Sequence, residues 1–247
     1  MIVTAGGGFS KILTMFGVDK ENIITLNTGK MNNLRNYIAF ASPERLNIWF
    51  LLYWGLPGQK AALFEGYKGF SFDELFKKCV YLLDDDIEPK YMKKEISYDE
   101  AVNKLNAIGL PEKKTVVLAP YVNSFENELS PEWWENLANR LKSKGYTVVT
   151  NCFGDEIPIN GTESVLFNYE ELNILMEACG LFIGMRSGLC DILSESNCKK
   201  IIIYQNFMTK RRMDFFSLRH LRCEQDLVEI KHDGNKENLQ NLILAAV

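Results

Sequence analysis

The chain has 247 residues, a formal net charge of −4, 47% hydrophobic residues and 24% charged residues. This length is enough to bury one large core or two smaller ones, and the composition is typical of a globular protein in water. Because the charge balance is acidic and no basic tail or stripe stands out, the sequence argues against a nucleic-acid partner.

The N-terminal part of the chain predicts a small α/β region. Its predicted elements are a strand at 1–5, a glycine turn at 6–8, a helix at 9–16, a strand at 23–26, a helix-rich stretch at 32–54 and a loop at 55–70. The triple glycine lacks the G-x-G-x-x-G spacing of a dinucleotide loop. A flexible turn is therefore the favoured interpretation of these glycines.

The longest apolar run, Asn47–Trp54, is too short to cross a bilayer. It favours a buried element, and a contact with a membrane surface is the alternative. No charged-then-apolar secretory signal opens the chain. We therefore expect a cytoplasmic protein, with a peripheral contact at the inner face of the membrane as the further expectation.

A charged break at Asp84–Lys90 marks the predicted boundary between a short N-terminal domain, residues 1–92, and a C-terminal domain, residues 93–247. In the second domain, short strands alternate with helices, which predicts βαβ units and a parallel sheet. The predicted strands are 115–119, 146–150, 164–167, 181–184, 199–204 and 226–230. The predicted helices are 97–108, 134–144 after a start at Ser130-Pro131, 170–178, one that opens near Ser187, and 235–246.

The stretch Phe182–Leu193 is the strongest functional signal in the sequence. A short apolar strand runs into Arg186-Ser187-Gly188 and then directly into a helix, whose first backbone N–H groups have no intrahelical partner. Ser187 is a good N-cap, Gly188 allows a ligand close to the backbone, and Arg186 adds a positive charge. The turn therefore predicts a site for a phosphate-bearing ligand.

Further polar residues follow the predicted strands, where ligands bind in open parallel sheets. Asn123 and Ser124 follow the strand at 115–119, and their amide and hydroxyl groups suit phosphate or sugar oxygens. An ordinary turn is the alternative for both residues. Three more candidates for contacts with a sugar or nucleotide are Asn151, Asp191 and Tyr204, although Asp191 also suits a structural acid in a first helical turn and Tyr204 also suits the core.

Metal and nucleophile chemistry have little support in this sequence. The six cysteines form no C-x-x-C pair, and the only histidines are His220 and His232. No D-x-D metal motif is present beside the candidate residues. Free buried cysteines in a reducing compartment are therefore the favoured interpretation, and no metal is expected.

The order of these motifs resembles the C-terminal, donor-binding domain of GT-B glycosyltransferases, in particular heptosyltransferase-like and fucosyltransferase-like proteins. The resemblance covers roughly residues 97–245 and is carried by Pro120-x-x-x-Ser124, the helix from Trp134 to Gly145-Tyr146, Thr150-Asn151, Gly161-Thr162, and Ile183-Gly184-x-Arg186-Ser187-Gly188-Leu189-Cys190-Asp191. Where heptosyltransferases usually carry a lysine shortly after the first-loop serine, this chain has Glu126 and Glu128. An ADP-heptose donor is therefore less well supported than other nucleotide sugars.

The resemblance implies a GT-B-like α/β fold with two Rossmann-type parallel-sheet domains, of which the N-terminal one is short. It implies transfer of a sugar from a nucleotide-diphosphate sugar to a glycan or lipid-linked acceptor, with no separate cofactor. Ser124, Arg186, Ser187 and Gly188 would then hold the diphosphate, and no catalytic base is identified. The alternative is a non-catalytic protein of this descent that binds a nucleotide sugar, and an acidic or histidine side chain facing the cleft from residues 1–95 would favour the enzyme.

Overall fold

The computed structural model describes residues 2–5, 7–40, 71–80, 83–88, 95–122, 127–221 and 226–247. The described N-terminal residues form a parallel strand pair with two helices. Strand β1 (Ile2–Ala5) pairs in parallel with β2 (Ile23–Leu26), with α1 (Gly7–Met15) between them and α2 (Thr28–Phe40) after them. The predicted strand–helix–strand order of this region is therefore confirmed. The predicted turn is not, because Gly7 and Gly8 already belong to helix α1 and Gly6 lies outside the described residues.

The C-terminal residues form a six-stranded sheet in which every pairing is parallel. Its strands are β3 (Thr115–Ala119), β4 (Thr147–Asn151), β5 (Glu163–Val165), β6 (Gly180–Met185), β7 (Lys199–Tyr204) and β8 (Leu227–Lys231). Their spatial order is β5-β4-β3-β6-β7-β8. This is the doubly wound order of a Rossmann-type sheet, so the predicted α/β class with two parallel sheets is confirmed.

Helices cover both faces of this sheet. The helices of the C-terminal domain are α4 (Tyr98–Ala107), α5 (Pro131–Ser143), α6 (Tyr169–Cys179), α7 (Gly188–Ile192), α8 (Lys210–Phe215) and α9 (Lys236–Ala246). They are preceded in the chain by the short helix α3 (Phe72–Leu75). A π-helical turn, Phe76–Val80, continues α3, and 3-10 turns occupy Lys20–Asn22, Leu193–Glu195 and Leu218–Leu221. Each predicted helix of residues 97–247 is present, with ends that differ by a few residues at most.

Local sequence explains where these helices begin. The Ser97 hydroxyl accepts the N–H of Glu100 at the start of α4, and the Glu100 carboxylate accepts the N–H of Ser97 in return, which is a capping box. At the start of α5, Ser130 accepts the N–H of Trp133 and Pro131 is the first helical residue. These reciprocal bonds satisfy N–H groups that the helix itself leaves unpaired.

Two apolar layers sandwich the sheet. Strand β3 is buried along its whole length, as expected for a parallel strand covered on both faces. Trp134 of α5 is fully buried on one face, and Phe182 of β6 is buried on the other. Burial on this scale, at about 25 cal/mol per Å² of apolar surface, is the main stabilising term of the fold.

Four aromatic rings join α3 to α8. Phe72 and Phe76 have ring centroids 4.9 Å apart, and Phe72 lies 5.8 Å from Phe215 and 5.4 Å from Phe216. Leu75 completes this small apolar cluster. The cluster is the link by which residues 71–80 pack against the C-terminal sheet domain.

Several predictions for the N-terminal half lie outside the described residues. The boundary at residue 92/93 falls in 89–94, and the apolar run Asn47–Trp54, the end of the helix-rich stretch and the loop at 55–70 fall in 41–70, so all of these stay predictions. Among the helices that the structure describes, none has the length and apolar character needed to span a bilayer.

Candidate functional site

A cleft of about 1170 Å³ opens at the carboxyl ends of strands β3 to β6. The chain order reverses between β3 and β6, which lie side by side at the centre of the sheet. Open α/β sheets bind ligands at this topological switch point. Residues that follow the four strands line the cleft, namely Tyr121 and Val122 after β3, Phe153 and Glu156 after β4, Leu166 and Phe167 after β5, and Ser187 to Leu189 after β6.

The Ser187–Gly188 turn forms the central part of this wall. Ser187 occupies the N-cap position of α7 in an extended conformation, but its hydroxyl makes no capping hydrogen bond and lies 3.8 Å from the Cys190 sulfur. A Cβ at Gly188 would have no heavy atom within 4 Å, so the backbone here borders open space. The backbone of the turn and the Ser187 residue therefore border the cleft.

Arg186 lies behind this turn. Its side chain is only 10% exposed. The guanidinium donates to the carbonyl of Phe216 (2.9 Å), the carbonyl of Ser187 (2.7 Å) and the carboxylate of Asp191 (2.5 Å). Three of its five N–H groups are thus used within the fold. In the structure, Arg186 therefore fixes the turn by internal hydrogen bonds and acts as a structural clip. From the sequence alone, we expect Arg186 to bind the diphosphate.

Asp191 lines the cleft with a side chain that is 40% exposed. Burial raises the pKa of Asp191, and the neighbouring Arg186 opposes that shift. The ion pair therefore cancels most of the charge of both groups at the turn. Asp191 is better placed to orient Arg186 than to contact an anionic donor.

Tyr204 does not reach the cleft. Its side chain is fully buried, and its hydroxyl lies 2.6 Å from the Glu229 carboxylate and 3.1 Å from the Phe216 carbonyl. Burial raises the pKa of Tyr204, and Glu229 raises it further. The prediction of a donor contact for Tyr204 is therefore corrected, because this residue belongs to the core.

Asn151 is the last residue of β4 and lines the cleft half-buried. The structure thus brings Asn151, Ser187, Gly188 and Asp191 together around one space. The loop residues Asn123 and Ser124 lie outside the described residues, so their contacts stay predictions.

The opposite wall carries acidic residues that sequence reasoning missed. Asp73 and Glu74 of α3, and Asp85 and Glu88 further along the chain, line the same cleft. The available signal was the capping box Ser71-x-x-Glu74, which the structure contains and which marks a helix start in an otherwise irregular region. What the sequence could not reveal is that this helix faces the end of the second sheet.

Three of these acids differ in how they are held. The Glu74 carboxylate accepts the backbone N–H of Ser71 at 3.0 Å, which lowers the pKa of Glu74. Asp85 pairs with Lys78 at 3.2 Å. Asp73 accepts the Ser71 hydroxyl at 2.6 Å through one oxygen, and its second oxygen makes no hydrogen bond to a described residue. Asp73 therefore keeps one carboxylate oxygen available to the cleft.

The end of the cleft near β4 and β5 is apolar. Phe153 and Leu166 line it with 64% and 57% of their surface exposed, which is unusual for large apolar residues. Within the residues that the structure describes, no group of three or more His, Cys, Asp or Glu side chains has the arrangement of a metal site. The cleft thus combines an apolar end, a polar turn and an acidic wall.

No protein-family model and no curated protein matches the chain. Its structural neighbours are heptosyltransferases and a family 9 glycosyltransferase. E. coli ADP-heptose LPS heptosyltransferase II is 15% identical, with 68% of this chain and 56% of that chain covered and a TM-score of 0.49. The family 9 glycosyl transferase from Veillonella parvula is 11% identical, with coverages of 66% and 51% and a TM-score of 0.47.

A third similar structure is E. coli heptosyltransferase WaaC with ADP, which is 12% identical, with coverages of 64% and 52% and a TM-score of 0.43. The chain spans about half the length of these solved structures, since 51–56% of each is covered.

Proposed function

We propose that the chain is a glycosyltransferase that moves a sugar from a nucleotide-diphosphate sugar to a hydroxyl group of a glycan or lipid-linked acceptor. The observation that carries the proposal is the cleft of about 1170 Å³ at the switch point of the six-stranded sheet. Its volume exceeds the ~300–1,000 Å³ that is usual for a single small ligand, so it has room for two substrates.

The donor is placed along the sheet side of the cleft. The diphosphate would lie at the Ser187–Gly188 turn, where backbone N–H groups and a hydroxyl are available to anionic oxygens. Asn151 is positioned for sugar or ribose hydroxyls, and the exposed rings and methyl groups of Phe153 and Leu166 suit a nucleobase. Asn123 and Ser124 remain proposed members of the same donor site.

The acceptor is placed against the acidic wall, with Asp73 as the proposed general base. The carboxylate oxygen of Asp73 that accepts no hydrogen bond from a described residue would take the proton from the acceptor hydroxyl. In the same step, the oxygen of that hydroxyl would bond to the anomeric carbon. The bond from the anomeric carbon to the diphosphate oxygen breaks in the same displacement, and the nucleoside diphosphate leaves with the electron pair. Preorganised N–H groups at Ser187–Gly188 would stabilise the charge that develops on it.

Glu74 is a weaker candidate for this base. The hydrogen bond from the Ser71 backbone lowers its pKa, which makes the carboxylate less basic. Asp85 is already paired with Lys78 and is well exposed. The presence of carboxylates on this wall favours an enzyme over the non-catalytic alternative, since ligand storage alone needs no base.

The test is to replace Asp73 and Asp85, one at a time, with asparagine. Asp73→Asn is expected to lower turnover by about 100-fold or more, the usual contribution of a general base, while nucleotide affinity stays within about threefold. Asp85→Asn is the matched control, because Asp85 lines the same cleft, and its turnover should change by less than about threefold. Equal losses in both variants would contradict the assignment of the base to Asp73.

The setting of the reaction follows as a part of the same proposal. We place it in the synthesis of cell-surface polysaccharide or lipopolysaccharide, in the cytoplasm and peripheral to the inner face of the membrane. No metal cofactor is assigned to the reaction. The sugar and the nucleotide remain open to direct titration.

A further inference from the structure

A short segment of the C-terminal domain, residues 215–221, connects the two walls of the cleft. It comprises the end of α8 and the 3-10 turn Leu218–Leu221, and is called the bridging segment below. Its last two residues, His220 and Leu221, line the cleft. The position of this segment therefore affects the shape of the site directly.

Buried polar groups fix the bridging segment to the sheet. The Glu229 carboxylate of β8 is only 6% exposed, and it accepts the Ser217 hydroxyl (2.7 Å) and the backbone N–H of Leu218 (3.0 Å). Arg186 donates to the carbonyl of Phe216 at 2.9 Å. The guanidinium that clips the Ser187–Gly188 turn thus also holds the bridging segment.

Tyr204 completes this network. Its phenol has one proton and two oxygen neighbours, Glu229 at 2.6 Å and the Phe216 carbonyl at 3.1 Å. We assign the proton to the shorter contact, because a hydrogen bond to a carboxylate is shorter and stronger than one to a carbonyl. The Phe216 carbonyl is then satisfied by Arg186, and Tyr204 donates to the Glu229 oxygen that also accepts the Leu218 N–H.

The bridging segment also packs against α3, the helix that contains Asp73 and Glu74 of the acidic wall. The rings of Phe215 and Phe216 pack on Phe72, with centroids 5.8 Å and 5.4 Å away. Phe72 directly precedes Asp73 in α3. A displacement of the bridging segment would therefore move the proposed base relative to the Ser187–Gly188 turn.

We propose that Tyr204 and Glu229 are positioning residues, which set the separation between the donor turn and the Asp73 wall through the bridging segment. Neither residue lines the cleft. The expected effect on turnover rests on the proposed function. The expected effect on the position of α3 rests on the hydrogen-bond network alone. A misplacement of about 1 Å between reacting groups is enough to lower turnover by up to about 100-fold.

The experiment compares hydrogen–deuterium exchange, read by mass spectrometry, in the wild-type chain and in Tyr204→Phe. The lost carboxylate hydrogen bond is expected to accelerate amide exchange about tenfold in residues 72–80 and 215–221, and not in β3 or β6. Tyr98→Phe is the matched control, because Tyr98 also donates to a glutamate, Glu112, at 2.6 Å but lies on α4. Exchange at 72–80 should be unchanged in that control.

A second variant guards against loss of the fold. Glu229→Gln keeps the shape of the side chain but replaces one acceptor oxygen with an amide N–H₂, which then faces either the Ser217 hydroxyl or the Leu218 N–H and the Tyr204 hydroxyl. This variant should show the same pattern of exchange. Unchanged exchange at 72–80 in both variants, or equal acceleration throughout the sheet, would overturn the positioning role.

A functional measurement separates the two proposals. In Tyr204→Phe, the dissociation constants for UDP, GDP and ADP should stay within about threefold of the wild type, while hydrolysis of the matching nucleotide sugar falls about tenfold. A weakened affinity with unchanged turnover would contradict the positioning role. If no nucleotide binds the wild type, the proposed function fails, and the exchange pattern still decides whether the network positions α3.

Discussion

Removal of the Arg186 side chain distinguishes a structural clip from a ligand contact. Arg186→Met leaves the carbonyls of Ser187 and Phe216 without this donor and leaves Asp191 without its ion pair. Breaking a fully buried pair costs about 3–5 kcal/mol. Because the Asp191 side chain is 40% exposed and can be hydrated, we discount this to about 2–4 kcal/mol in the free energy of unfolding.

The assay is urea unfolding followed by the fluorescence of the buried Trp133 and Trp134. Arg219→Met is the matched control, since the Arg219 side chain is 60% exposed and lies 3.6 Å from Glu229, and it should cost less than about 1 kcal/mol. A loss of less than about 1 kcal/mol in Arg186→Met, together with a large loss of nucleotide affinity, would refute the clip and return Arg186 to the donor site.

Two further predictions concern the turn and the core. Gly188→Val adds a side chain to open space, so the free energy of unfolding should change by less than about 1 kcal/mol. Titration calorimetry should show nucleotide binding weakened at least about tenfold, because the new side chain occupies the space beside the turn. Tight binding in this variant would exclude the turn as the anion site. Burial, reinforced by the neighbouring Cys198, raises the pKa of Cys179 to about 12 from its ordinary 9.0. The unfolded thiol therefore ionises first, so its contribution to stability is complete below about pH 9 and is lost as the pH rises toward 12. Urea unfolding at several pH values should show a larger loss in the wild type than in Cys179→Ala, and identical pH profiles would contradict it.

The sheet of the C-terminal domain could be predicted because its signals are local. Strands such as Thr115–Ala119 are β-branched and short, and helix starts such as Ser130-Pro131 have a distinctive chemistry. The Ser187–Gly188 turn could be placed at a strand end for the same reason. The position of that strand at the switch point followed only from the sheet order.

The roles of Arg186 and Tyr204 could not be predicted, because they depend on contacts with residues distant in sequence. Arg186 meets the Phe216 carbonyl 30 residues away, and Tyr204 meets Glu229 25 residues away. From the sequence alone, an arginine beside an anion site and a tyrosine at the end of a strand are as compatible with a ligand contact as with an internal contact. Only burial and hydrogen-bond partners assign them to the interior.

The acidic wall was missed for a related reason. Asp73 and Glu74 lie in a short helix whose sequence pattern is weak. What gives them a role is the packing of Phe72 on Phe215 and Phe216, a contact across more than 140 residues that no local pattern encodes.

The most direct test of the account is titration calorimetry of the wild-type chain with UDP-, GDP- and ADP-sugars, repeated with Gly188→Val. At least one nucleotide sugar should bind the wild type with a dissociation constant below about 1 mM, equivalent to about −4 kcal/mol, and should bind the variant at least about tenfold more weakly. Absence of binding by all three at millimolar concentration, or equal binding by both proteins, would contradict a nucleotide-sugar site at the Ser187–Gly188 turn.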